Sequence, residues 1–200
     1  MDSSLITYDN VMRIKKSKGY PIFDRSYDLN IVGIRANTPA TNTFNDFLTV
    51  AYIDEKQQPR IFVAPGTTDP GYFWLEHPMN PLGAAIVKEG HYPDLWQIGM
   101  HKDYQALVQV GNITVYRDNN RDDTYDLDEK TLDTGVFGVD LHHSSYNGVS
   151  YQVDKWSAGC QVVANIVDFL ALMNLVFRQR TYGRGTRYSY SLINEKDLIA

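Results

Sequence analysis

A long succession of short apolar runs constrains this chain more than any other feature. Residues 30–35, 46–53, 60–64, 84–87, 95–98, 106–110, 113–116, 136–141 and 188–192 are rich in β-branched and aromatic side chains. Runs of that length and composition, bounded by turn-forming residues, predict strands. The polar stretch 54–59 suits a hairpin loop, and Gly66-Thr67-Thr68-Asp69-Pro70-Gly71 reads as a turn cluster. Only one stretch has sustained helical spacing. Ile166, Phe169, Leu170, Met173 and Phe177 predict a long helix over 162–178. A rougher stripe, Leu5, Val11 and Met12, predicts a short helix over 3–18 that stops at Gly19. The reading is an α+β chain, mostly β: an N-terminal helical segment over 1–20, then a single domain over 21–200.

Composition narrows the function classes. Hydrophobic residues make up 43% and charged residues 22% of the 200 positions, which fits a soluble globular protein. A net charge of −5 argues against a nucleic-acid partner, which calls for a basic face. The longest apolar stretch, 166–177, is broken by Asp168 and Asn174 and falls short of the roughly 20 residues a membrane span needs. Met1-Asp2-Ser3-Ser4 lacks the basic and apolar regions of a secretory leader, so synthesis in a cytoplasm is expected. With one cysteine, Cys160, no intrachain disulfide can form. Such a cysteine is either a small buried hydrophobe or a reactive thiol.

The surroundings of Cys160 favour the thiol. Gly138-Val139-Asp140-Leu141-His142-His143 reads as a strand ending in two histidines. A polar loop with Asn147-Gly148 follows, then the tight turn Trp156-Ser157-Ala158-Gly159-Cys160. Cys160 is expected to open the long helix, where the dipole and unpaired N–H groups would stabilise a thiolate. A nearby imidazole would act as its base. Gly159 would allow close approach of a substrate and free backbone amides for an oxyanion. Successive strand residues face opposite ways, so only one of His142 and His143 should face the cysteine. Asp140 shares a face with His142 and could orient it, as could a backbone carbonyl. Trp156 could line a substrate cleft.

A histidine followed 18 positions later by the cysteine of Ser-x-Gly-Cys resembles the L,D-transpeptidase (YkuD-like) catalytic domain. The likeness extends to Val115-Tyr116-Arg117-Asp118, to 137–142 and to 155–162, and is nearest to a branch found in phages and their Bacteroidota-type hosts. The resemblance implies a β-sandwich or barrel of that type over roughly 60–192. It implies Cys160 as nucleophile, His142 as base, Ser157 and Gly159 as turn and oxyanion residues, and peptidoglycan stem peptides as partners. No cofactor is needed for that chemistry. The motif's histidine before Gly-Cys is Ala158 here, and Gln161-Val162 replaces the polar residue that usually follows. Without a leader, a phage lysis enzyme or virion-borne wall-opening factor is the implied setting, acting in the periplasm or cell wall after release. The alternative is an inactive wall-binding or virion structural module of the same fold.

Three other groupings combine residue types suited to binding ions. Asp118, Asn120, Asp122, Thr124, Asp126 and Glu129 match the oxygen positions of a calcium loop, but Asp123 stands where its glycine should be. His101 and Asp103 with His142 and His143 make a weak zinc candidate, lacking paired spacing. Arg178, Arg180, Arg184 and Arg187 form a basic cluster that could meet stem-peptide carboxylates.

Overall fold

The computed structural model describes residues 1–38 and 42–199. In chain order the elements are α1 (Tyr8–Ser17), β1 (Asn30–Arg35), β2 (Asp46–Ile53), β3 (Pro59–Thr67), α2 (Tyr72–Glu76), β4 (Ala84–Val87), β5 (Gly90–His101), β6 (Tyr104–Gln109), β7 (Ile113–Asp118), β8 (Asp133–Gly135), β9 (Leu141–His143), β10 (Gln161–Val163), α3 (Ile166–Thr181) and β11 (Arg187–Asn194). The chain is mostly β, with one long helix late in the sequence. Eight strands close into a barrel in the order β1-β11-β5-β6-β9-β10-β3-β2, and β4-β7-β8 form a separate three-stranded sheet. Two barrel pairs are parallel, β1 with β11 and β9 with β10.

The barrel is covered on both sides where its strands read as unbroken apolar runs. In β1, Ile31 faces the main core with Leu48, Val50, Trp96, Tyr190 and Leu192. Its neighbours Val32 and Ile34 face outward into a second cluster with Val11, Ile14, Ala51 and Ile193. The amphipathic α1 supplies that cover, and Thr7 caps it by accepting from the Asn10 N–H at 3.2 Å. Helix α3 adds Phe169, Leu172, Met173 and Val176 to the main core.

Three expectations need correction, each for a local reason. Residues 161–163 do not belong to the long helix. Gln161, Val162 and Val163 pair with β9 on one side, and Val162 and Val163 with β3 on the other; β-branched side chains suit this. The helix starts only after Asn165, whose side chain accepts from the Val167 N–H at 2.9 Å. Cys160 therefore precedes a strand and gains nothing from a helix dipole. Second, the strand expected over 136–141 pairs only from Leu141 onward. Upstream, the Gln109 side chain stands in for a strand partner, its Oε1 accepting from the N–H groups of Phe137 and Val139 at 2.9 and 2.8 Å. Third, β3 runs through Gly66 and Thr67, so the turn cluster begins later than expected. A Cβ on Gly66 would lie 2.7 Å from the Val162 carbonyl oxygen, so the glycine is set by close strand approach.

The helix boundary can be checked directly. Asn165→Ala should lower stability by about 1 kcal/mol by removing the cap, or about 2–4 °C in Tm. If residues 162–165 were helix interior, alanine would raise the Tm instead.

Candidate active site

The parallel join of β9 and β10 builds the site. Gln161 lies beside Leu141 and Val162 beside His142. Registered neighbours point the same way and alternate residues share a face. Asp140, His142 and Cys160 therefore lie on one face and His143 on the other. Cys160 and His142 both line a cavity of about 630 Å³, together with His101, Trp156, Trp74 and Lys102. Trp156 is half-open at 39% exposure, in keeping with a cleft wall.

The turn before Cys160 is fixed by Ser157. Its fully buried hydroxyl donates to the Cys160 carbonyl at 2.8 Å and accepts from the Gly159 N–H at 3.2 Å. Ser157 thus shapes the loop and does not face the cavity. The Gly159 amide, expected to serve an oxyanion, is engaged by Ser157. Gly159 has φ +122°, and a Cβ there would lie 2.7 Å from the Ala85 carbonyl oxygen, so both conformation and space require glycine. The Cys160 amide has no hydrogen-bond partner among the described residues.

The two adjacent histidines separate as the strand demands. His143 is buried on the far face against Tyr104, Tyr146 and Phe169, with ring centroids 4.2, 4.6 and 5.1 Å away. It is not the imidazole of the cavity. His142 Nδ1 lies 2.8 Å from the His143 carbonyl oxygen. A carbonyl only accepts, so Nδ1 carries the proton and Nε2 is left as the acceptor. A backbone carbonyl, and not Asp140, orients this ring.

Asp140 instead holds a residue that sequence reasoning placed only in a zinc candidate. His101 Nδ1 is 2.8 Å from Asp140 Oδ2, and the other carboxylate oxygen accepts from the Gln109 N–H at 2.8 Å. The His101 ring stacks on His142 at 4.1 Å and 13°. His101 closes the β5–β6 hairpin, which only the barrel's closure brings against β9. No local signal in the sequence could have placed it there.

The electrostatics describe a neutral pair. Burial pushes the Cys160 thiol up to about 12; a hydrogen bond from the Asp140 backbone opposes this, the Asp140 charge adds to it, and Lys102 opposes it least. The thiol points its proton at the Gly138 carbonyl oxygen, 3.4 Å away. Burial, with help from His101, pushes His142 down to about 3. Near neutral pH, thiol and imidazole are both uncharged.

The other groupings fall elsewhere. Asp118 ends β7 buried and accepts from the Asp126 N–H at 3.0 Å, while the Asn120 side chain donates to Asp122 and Asp126 at 2.9 and 2.8 Å. Thr124 donates to Asp122. Glu129 turns away to Lys88 at 2.6 Å and Tyr116 at 3.1 Å. A strand precedes this loop and a 3-10 turn follows it, so the helical flanks of an EF-hand are missing. Among the described residues no group of three or more His, Cys, Asp and Glu could hold a metal ion. Arg178 packs on Tyr27 and Arg184 donates to the Ser26 carbonyl at 2.9 Å, away from the cavity.

No family model matches the chain, and no curated protein or solved structure matches it either.

The buried neutral histidine makes a prediction about acid. An unfolded histidine binds a proton near pH 6.5, whereas His142 resists it until about 3. The unfolded chain therefore binds more protons as pH falls through that window, and the native state loses stability by up to about 1.4 kcal/mol per pH unit from this group. Melting temperature should drop between pH 6.5 and 4, and His142→Gln should flatten part of that slope. Identical slopes in the two proteins would contradict the assignment.

Proposed function

We propose that the protein is a cysteine acyl-transfer enzyme of the L,D-transpeptidase type, acting on peptidoglycan stem peptides. One observation carries the reading: Cys160 and His142, from separate segments, share one face of a parallel strand pair and open into one cavity. The motif order, histidine and then Ser-x-Gly-Cys, is that of the family, and a closed barrel with the late helix α3 is compatible with its fold.

The neutral pair makes proton transfer part of the attack. As Cys160 Sγ bonds to the scissile carbonyl carbon, its proton passes to His142 Nε2. The carbonyl oxygen takes the electron pair and is stabilised by the unpartnered Cys160 amide. When the tetrahedral intermediate collapses, the C–N bond breaks and His142 returns its proton to the departing amine of the D-amino acid. A thioester remains on Cys160, to be taken by an amine as a cross-link or by water as hydrolysis. His101, held by Asp140, covers one face of the His142 ring and keeps it from turning away.

A phage-type lysis or wall-degrading role, with release to the wall after cytoplasmic synthesis, favours hydrolysis over cross-linking. The competing reading, an inactive wall-binding or virion module, draws on Ala158 in the motif and on the raised Cys160 thiol.

Purified muropeptides incubated with the protein should lose a terminal D-amino acid, or gain a cross-link, by mass spectrometry. Cys160→Ala should abolish the change, and His142→Asn should slow it by about 10²–10⁴. Unaltered muropeptides with the wild-type protein would favour the inactive module. Efficient cross-linking with no cleavage would remove the lysis role.

A further inference from the structure

Two imidazoles line the Cys160 cavity, those of His101 and His142. Their rings lie almost parallel, 4.1 Å apart at 13°. Each is pinned through Nδ1, but to a different partner. His142 Nδ1 lies 2.8 Å from the His143 carbonyl oxygen, whereas His101 Nδ1 lies 2.8 Å from Asp140 Oδ2. A carboxylate accepts, so His101 Nδ1 carries the proton and Nε2 is left as an acceptor. Among the described residues that Nε2 has no hydrogen-bond partner. The carboxylate is itself fixed, since Asp140 Oδ1 accepts from the Gln109 N–H at 2.8 Å. Proton transfer through His142 leaves this second ring without a chemical task.

The surroundings of the two rings suit them to different steps. His142 is 3% exposed, and a neutral carbonyl stands behind it. The His101 side chain is 16% exposed, and behind it stands a carboxylate, which stabilises an imidazolium. A water or amine arriving from solvent therefore meets His101 more readily, and the proton it gives up is better held there. Two imidazolium rings at this spacing would also repel. After burial, the charge of His101 is the largest influence that keeps His142 neutral. Positive charge must pass through the pair one ring at a time, which suits a reaction with two successive proton transfers.

We propose that His101, backed by Asp140, is the general base of the second half-reaction and takes the proton of the acceptor as it attacks the thioester on Cys160. This rests on the enzyme reading above and adds a catalytic residue to it. The acceptor's oxygen or nitrogen bonds to the thioester carbon while its proton moves to His101 Nε2. The intermediate then collapses, the C–S bond breaks and Sγ leaves with the electron pair. Burial and the Asp140 charge both favour a protonated thiol, so the sulfur reclaims the proton from His101. The product departs as a free acid or a new amide, and both rings are neutral again. His142 remains the proton carrier of the first half-reaction.

Rapid acid quenching and mass spectrometry of the protein with a disaccharide tetrapeptide separate the two halves, because the Cys160 adduct forms in one and decays in the other. His101→Asn reaches only as far as Nδ1, so it keeps a donor for Asp140 and removes the Nε2 position. His101→Phe keeps a ring to stack on His142 and removes both nitrogens. In both variants the adduct should form at close to the wild-type rate. Its decay should slow by roughly 10²–10⁴, so that nearly all of the protein comes to carry it. His142→Asn should show the reverse, with little adduct at any time. Decay at the wild-type rate in His101→Phe would make His101 a stacking platform alone and overturn this inference. Slowed formation in both variants, with no accumulation of adduct, would overturn it as well. Either result leaves the enzyme reading standing, whereas no adduct and no donor cleavage in the wild-type protein would sink both.

Discussion

Gln161 donates its backbone N–H to the Asp140 carbonyl at 2.9 Å, across the parallel β9–β10 pair, and the site depends on that join. Parallel strands cannot be linked by a tight turn. Here the connection runs over 144–160 without a helix, so it must be tied down piece by piece. Ser144 Oγ donates to the Ala164 carbonyl at 3.0 Å, Ser150 N–H to the same carbonyl at 2.9 Å, and Asp154 N–H to Asn42 Oδ1 at 2.9 Å. From inside the barrel, the Tyr190 phenol donates to Gln161, whose amide in turn reaches the Gly159 and Thr68 carbonyls at 3.4 Å. Gly33 leaves the space that the phenol occupies. Gln161, the residue after Cys160, is thereby fixed by a buried polar network, which is costly to break and so holds the turn in one geometry.

Burial shapes the chemistry as much as position does. The packing that brings Cys160 against 138–140 partly buries its thiol, and burial keeps His142 neutral. A resting ion pair is disfavoured on both sides. In the proposed reaction charge arises only as the thiol attacks.

Several strands were legible because their signal is local. Residues 30–35, 46–53 and 84–87 match strands β1, β2 and β4 end to end, since apolar runs bounded by polar turns need no tertiary knowledge. Cys160, His142 and the face shared with Asp140 were legible for the same reason, through alternation along a strand. What failed depended on distant partners. Val162 and Val163 continue an apolar stretch that merges with a helical pattern, and only the neighbours β3 and β9 make them a strand. The reactive-cysteine argument from a helix terminus failed with that boundary. Asp140 and a backbone carbonyl both stood open as partners of His142, and the choice turned on His101, which arrives from a hairpin tip.

Intact-mass and peptide mass spectrometry of the protein, acid-quenched during incubation with a disaccharide tetrapeptide, tests the central claim most directly. The account predicts a covalent adduct on the Cys160 peptide with the mass of the donor minus its terminal D-amino acid. Cleavage of the donor that proceeds at full rate in Cys160→Ala, with no adduct at any time in the wild-type protein, would contradict it.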